Sequence, residues 1–401
     1  RKNYIKRALK IKDRRNRKTM IEDAKSVYPI SQEAFDKLPN LINCRNGTLD
    51  MLTMEFRESD PQDFLTKTAG VYYDAAAVCP RWEKFVDEVM CGDRELAEYL
   101  QKSLGYALTG DTSLECMFIL YGATARNGKG TTMETFKLIM GEYGVTSNPE
   151  LLGTKGPMNN SSGPSEDVAR LNNVRFVNIS EPDKRLNFSA ALVKRITGND
   201  TLNARHLREN SFDFKPVCKV FVNTTSLPNV NDTTLFDSGR LKIIPFSRHF
   251  KESEQDKTLK GFFAQEENLS GIFNWCVEGY KKFKADGLNV PEAVRAATED
   301  YHQSSDYIGQ FIAAWLEESS GYEVRTAAVW NVYKEWCEKY GYYRENPKNF
   351  NSAMSQRFRI AKKRPREGGT ATPMFIGCRL AAHESGEDVA DGDFDVLDDR
   401  A

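Results

Sequence analysis

One short segment restricts this chain more than any other. The apolar run 116–121 (CMFILY) passes directly into Gly122-Ala123-Thr124-Ala125-Arg126-Asn127-Gly128-Lys129-Gly130-Thr131-Thr132, and apolar residues at helical spacing follow (Met133, Phe136, Leu138, Ile139, Met140). A buried strand, a glycine-bearing turn and a helix start, in that order, aim backbone N–H groups at one spot beside a lysine. A nucleoside triphosphate requires this construction: amides and helix N-terminus cradle the phosphates, and Lys129 neutralises the β/γ oxygens. Gly122, Ala123, Arg126, Asn127, Gly128, Lys129, Gly130, Thr131 and Thr132 are the candidate phosphate-binding residues, with ATP and Mg2+ the expected ligands. Two positions depart from the usual loop. Ala123 stands five before Gly128, where glycine is customary, and Gly130 replaces the hydroxyl residue after the lysine. Thr131 is therefore expected to meet magnesium or phosphate from one position later.

The fold class follows from what surrounds that segment. Three further apolar runs, 174–179 (VRFVNI), 218–222 (CKVFV) and 241–246 (LKIIPF), alternate with helical stretches. Continuous apolar runs of this length suit strands buried on both faces of a parallel sheet, which makes the middle of the chain an α/β unit with right-handed crossovers. Upstream, 1–37 reads as charged helix, and 41–74 as short strands with turns at Asn46-Gly47 and Asp60-Pro61. Apolar spacing in 80–108 predicts two helices. After 250 helices dominate, over 269–286, 291–301, 307–319 and 326–340. Five regions result: 1–108, N-terminal and α+β; 109–250, the nucleotide-binding motor; 251–345, helical; 346–383, a small winged-helix-like module; and 384–401, an acidic disordered tail.

Charge hides a partner signal. The net charge is −1, yet 1–25 carries eleven basic residues against three acidic ones, and the acidic tail cancels them. The basic arm is a candidate for phosphate contact. The eight cysteines are scattered without a C-x-x-C pair, as expected for reduced thiols in a cytosolic protein. No apolar stretch approaches the roughly twenty residues that span a bilayer, so no membrane partner is expected. The chain opens on Arg1 and a basic run, which reads as a fragment with upstream sequence removed.

A phosphate cradle alone does no work; water must be oriented and the γ-phosphate read. Glu181 ends the second apolar run, where a carboxylate would face the loop and help hold magnesium. After the third run comes Asn223-Thr224-Thr225-Ser226-Leu227-Pro228, whose polar side chains can bond water or γ-phosphate. Arg240, before the last run, is placed to reach a neighbouring subunit and stabilise transition-state charge.

Together RNGKGT, RFVNISEPD, KRITGNDTLNAR, VNTTSLP and SGRLKIIPF resemble the superfamily 3 helicases, in particular the helicase half of phage, plasmid and poxvirus-type primase-helicases. NCRNGTLD, CPRWEKF and YLQKSLGYALTGD resemble that family's region before the motor, and SGIFNWCVEGYKKF and GLNVPEAV the segment after it. The resemblance covers roughly 40–345. It implies an AAA+-like core with a mainly parallel sheet, assembled as a ring of usually six subunits with ATP sites between them. Lys129 then matches the phosphate-loop lysine, Glu181 the second-motif acid and Arg240 the arginine finger. Thr225 stands where the family often places its sensor Asn, with Asn223 as the rival. The resemblance also implies a pore-lining hairpin on single-stranded DNA, here joined near 208–211, with Lys194, Arg205, His206 and Arg208 as phosphate donors.

The expected function is thus ATP-dependent unwinding at replication forks, in a bacterial cytoplasm and on behalf of a phage, plasmid or mobile element. Two other readings stay open: a P-loop phosphotransferase, and an origin-binding or loader module whose nucleotide site only controls assembly. Any primase domain would lie upstream of Arg1.

Overall fold

The computed structural model describes residues 2–27, 29–154, 166–183, 186–342, 344–364 and 370–381. Helices α1 (Lys2–Lys12) and α2 (Arg14–Val27) form the basic arm, and no described side chain in them is buried. A small antiparallel sheet follows, β1 (Leu41–Cys44), β2 (Gly47–Asp50) and β3 (Phe56–Arg57), with the Asn46-Gly47 turn joining its first two strands. Helices α3 (Pro80–Val89) and α4 (Arg94–Ala107) come next; the Asp93 carboxylate caps α4 by accepting from Leu96 N–H.

The central layer contains β4 (Met117–Tyr121), β5 (Gly144–Ser147), β6 (Phe176–Ser180), β9 (Lys219–Thr224) and β10 (Leu241–Pro245), all parallel, in the order β10-β4-β9-β6-β5. Between them run α5 (Lys129–Met140), α6 (Glu166–Ala169), α7 (Ala190–Thr197), the hairpin β7 (Leu202–Ala204) and β8 (Phe212–Phe214), and α8 (Thr234–Asp237). The runs are mostly apolar on both faces because they feed two cores. Phe118, Leu120, Phe176 and Phe221 join Met133, Phe136 and Ile139 of α5 on one face. Met117, Ile119, Val177, Ile179, Val220 and Val222 face the other core. On the first face Phe118 stacks on Phe221 at 4.8 Å, and Phe136 meets Phe176 edge-on at 4.8 Å. The four strands expected from sequence are present. The fifth, β5, has no apolar run because it is a half-exposed edge strand paired on one side only.

The amino edge of this sheet holds two fully buried cations. Arg175 donates to Leu108 O (2.8 Å) and Leu41 O (2.6 Å) and lies 4.3 Å over the Tyr143 ring. Lys219 donates to Asp111 O (3.0 Å), Val217 O (3.1 Å) and Thr109 O, with Tyr106 5.0 Å away. Burial, with Arg175 nearby, pushes the Lys219 amine down to about 7.

Helices α9 (Leu259–Phe263), α10 (Glu266–Asp286) and α11 (Glu292–Ser305) follow the sheet. No helix among the described residues is long and apolar enough to cross a membrane. Helix α10 lies so close to α4 that only glycine fits at the crossing. A Cβ on Gly105 would lie 2.3 Å from Tyr280 N and 2.5 Å from Cys276 O, and one on Gly279 2.2 Å from Gln101 O.

The chain divides into two compact units after Gln303. The second contains α12 (Tyr307–Trp315), β11 (Leu316–Arg325), α13 (Thr326–Tyr340), α14 (Pro347–Ser355), β12 (Arg359–Lys363) and β13 (Thr372–Leu380). Its antiparallel sheet has the order β11-β13-β12, and Phe311, Tyr333, Trp336, Phe350 and Phe375 share its core. Helix, strand, helix, helix, strand, strand is the winged-helix order. Two expectations are corrected here. The boundary at 345/346 falls instead after Gln303, because α12 and α13 pack with α14. The helix expected over 307–319 ends at Trp315, since 316–325 pairs with β13 and sheet pairing overrides its local preference. The tail 384–401 lies outside the described residues.

Gly105→Ala gives a sign test of the helix crossing. In an open helix this change stabilises by up to about 1 kcal/mol; here the clash should destabilise by about 1–3 kcal/mol. A thermal melting midpoint equal to or above that of the native chain would contradict the close approach.

Candidate nucleotide and nucleic-acid site

Strand β4 ends at Tyr121, and the loop turns back through Arg126 (φ 60°) and Gly128 (φ 90°) before α5 begins at Lys129. Gly128 caps the helix in the left-handed region. A Cβ there would also strike Val89 Cγ1 at 2.3 Å, so only glycine fits. The first-turn N–H groups of α5 have no intrahelical acceptor and point out of the helix end. Lys129, 3 % exposed, donates to Gly122 O at 3.2 Å. Burial lowers its amine, and the Glu181 charge partly restores it.

The loop is braced from inside and outside. Asn127 Nδ2 donates to Thr124 O (2.7 Å) and Phe246 O (3.5 Å). Gly122 must be glycine because a Cβ would lie 2.2 Å from that Nδ2. Across the loop, Phe250 N–H donates to Arg126 O (2.9 Å), His249 Nδ1 lies 2.9 Å from Ala125 O, and Arg126 donates to Gln255 Oε1. This wall, 246–255, carries no motif and was not legible as part of the site. Thr131 is half-exposed at the helix mouth. Thr132 is a correction: it is buried, and both its hydroxyl (3.1 Å) and its N–H (2.9 Å) donate to Gly128 O, so it has nothing to offer a phosphate.

Glu181 leaves the end of β6 with a left-handed φ of 45°. Its N–H donates to Asn223 O (2.8 Å), and its Oε2 accepts from Thr225 N–H (3.1 Å) and Thr225 Oγ1 (3.0 Å). The acid and the sensor segment therefore meet directly. Asn223 pairs in register with Ser180 on one side and Leu120 on the other, and it shares the face of Phe221 that α5 covers. Asn178 lies on that face too, and its buried Oδ1 has no hydrogen-bond partner among the described residues.

Arg240 lies elsewhere. It precedes β10 at the amino edge, a strand length of roughly 15 Å from the loop edge. There Nη1 donates to Glu115 O (3.1 Å) and Thr197 Oγ1 (2.8 Å), and Nη2 to Glu115 Oε2 (2.7 Å). The structure does not bring it to the glycine-bearing loop of the same chain.

The candidate nucleic-acid residues separate into two groups. Arg205, His206 and Arg208 sit together in the loop joining β7 to β8, with both arginines exposed and Arg208 at φ 66°. His206 stacks on Phe212 and lies 3.1 Å from Glu166 Oε1, and Glu166 Oε2 accepts from Leu207 N–H (3.1 Å). Lys194 is not in the loop. It faces α8 from α7, bonded to Thr234 Oγ1 (2.5 Å) and 3.7 Å from Asp232 Oδ2.

Fold and loop define a P-loop core of the AAA+ type. Within that class the chain is D5-like at both ends: a "D5 N terminal like" family model matches 1–91 and a "Poxvirus D5 protein-like" model matches 303–373. A protein of Acanthamoeba polyphaga mimivirus named "Putative helicase L207/L206" is 27% identical over 70% of this chain and 31% of its own length. "Putative helicase 022R" of Frog virus 3 is 22% identical over 74% and 30%, and "Putative helicase 184R" of Invertebrate iridescent virus 6 is 26% identical over 73% and 33%. The chain thus spans about a third of the length of these curated relatives. A solved structure, the apo NrS-1 C-terminal region, is similar at TM-score 0.46 and 14% identity over 77% of each chain. The resemblance to primase-helicases read from the motifs stands. The bacterial host does not follow from these relatives, which belong to viruses named for an amoeba, a frog and invertebrates.

Since Glu181 raises the Lys129 amine, Glu181→Gln should shift that amine's titration to lower pH. Side-chain NMR of the Lys129 Nζ group in the free protein reads this; an unchanged or upward shift would mean that the two charges do not meet.

Proposed function

We propose that this chain is an ATP-driven motor of the superfamily 3 helicase type, moving single-stranded DNA through a ring of usually six copies. The observation that carries the reading is the Glu181–Thr225 contact beside the phosphate loop, with β9 between the loop strand and the acid strand.

The residues fit magnesium-bound ATP. Backbone N–H groups of the loop and of Lys129, Gly130 and Thr131 cradle the phosphates, and Lys129 supplies charge. The Thr131 hydroxyl and Glu181 would hold Mg2+, partly through water; when bound, the ion spreads the charge of the β/γ oxygens. Thr225 occupies one oxygen of Glu181 and leaves Oε1 to orient and polarise water. The geometry favours Asn223 as reader of the γ-phosphate, because it lies on the α5 side of the sheet, with Thr225 as the residue that aims Glu181. Arg240, remote from its own loop, serves a neighbour's site. The Arg205–Arg208 loop tracks the strand by its phosphates, each contact adding about 0.7 to the log–log salt slope.

Fork unwinding with ATP by the full chain, sized in parallel for assembly, tests the reading. Lys129→Ala should abolish turnover and unwinding while leaving the protein folded, and Arg240→Ala should lower turnover by about 10³–10⁵. ATPase activity indifferent to single-stranded DNA would favour a phosphotransferase. Glu181→Gln supporting replication as well as the native chain would favour a loader. A monomer turning over ATP at full rate without Arg240 would overturn the proposal.

A further inference from the structure

We infer that Glu115 and Thr197 are positioning residues for Arg240, and that through Thr197 the nucleotide site of a neighbouring copy is tied to this chain's own hairpin; this rests on the motor reading above. A guanidinium has five N–H donors. Three of them are committed within the chain, to Glu115 O, Glu115 Oε2 and Thr197 Oγ1, which leaves two for an outside oxygen. The side chain is 16% exposed, so it is held rather than waving in solvent. Glu115 itself adopts a left-handed φ of 45°, which lets both its carbonyl and its carboxylate grip the same guanidinium.

Thr197 gives this grip its reach. It is the last residue of α7, and its hydroxyl donates to Val193 O (2.8 Å) while accepting from Arg240 (2.8 Å). Gly198-Asn199-Asp200-Thr201 then lead straight into β7 of the hairpin. A second tie runs in parallel: Thr112 Oγ1 donates to Asn199 Oδ1 at 3.0 Å, from the same loop that carries Glu115 into β4. Shifting the guanidinium by about 1 Å towards a phosphate therefore either takes the Thr197 bond out of hydrogen-bond range or draws the end of α7 with it. Both outcomes change the root of the hairpin. Arg240 thereby links three segments, the entry to the phosphate-loop strand, the entry to the hairpin and its own strand.

Thr197→Val keeps the side-chain shape and removes the acceptor; Thr197→Ser keeps the hydroxyl. With a deoxythymidine oligomer as the single strand, Thr197→Val should lower the ratio of DNA-stimulated to DNA-free kcat by at least about fivefold, beyond any fall in the DNA-free rate, with Thr197→Ser restoring the ratio. Hydrogen exchange over 202–214 should respond to a non-hydrolysable ATP analogue in the native chain and not in Thr197→Val. As a second variant, Glu115→Gln should lower kcat with little change in KM, because Arg240 loses its aim. Normal DNA stimulation in Thr197→Val with a normal exchange response, or basal and stimulated rates falling in equal proportion, overturns the coupling alone. Unchanged kcat in Glu115→Gln overturns the positioning role. Absence of DNA-stimulated turnover in the native chain sinks the motor reading and the coupling with it.

Discussion

Everything at the carboxyl edge of the sheet depends on one pairing, that of β9 between β4 and β6. Adjacent strands lie about 4.8 Å apart, so one inserted strand puts the phosphate loop and Glu181 about 10 Å apart across the sheet. Had the loop strand and the acid strand been neighbours, Lys129 and Glu181 would have closed on each other. The inserted strand also fills the gap with its own polar end, Asn223 to Thr225, and its backbone fixes both the Glu181 N–H and carboxylate. The register is enforced by two buried faces, since a slip of one residue would exchange Phe221 and Val222 between cores.

The opposite edge is organised by charge. Among the described residues no carboxylate contacts Arg175 or Lys219, which are solvated by backbone carbonyls and aromatic faces. Arg240, by contrast, is paired with Glu115 and only partly buried. The two edges thus differ in kind. One presents helix-start amides and a carboxylate, and the other presents carbonyls wrapped around cations, with Arg240 nearer the surface.

Much of this was legible beforehand, for identifiable reasons. The runs 116–121, 174–179, 218–222 and 241–246 announce β4, β6, β9 and β10 because strands buried on both faces are made mostly of apolar residues. Strand β5 escaped notice because Val145 is its only large apolar residue. Gly122 and Gly128 stood out by spacing, and packing against Asn127 and Val89 explains why each must be glycine. Thr132 looked equivalent to Thr131 in sequence. Only the helix phase, which turns one hydroxyl inward to Gly128 O, separates them. Lys194 similarly reads as a free cation until Asp232, far along the chain, is brought beside it. The Glu115–Arg240–Thr197 bridge joins Arg240 to positions 125 and 43 residues away, and no local pattern marks it.

Of the carbonyl groups around Arg175 and Lys219, those of Leu41, Leu108, Thr109 and Asp111 lie upstream of β4, and that of Val217 lies beside Lys219 in the chain. Those upstream segments therefore serve as the solvent for two charges inside the AAA+ layer. A chain trimmed to the sheet and its crossover helices would leave Arg175 with the Tyr143 ring and Lys219 with Val217 O, short of most of the carbonyls that solvate them. Leu41 of the small N-terminal sheet and the segment 108–111 after α4 thus belong to the electrostatic interior of the parallel sheet.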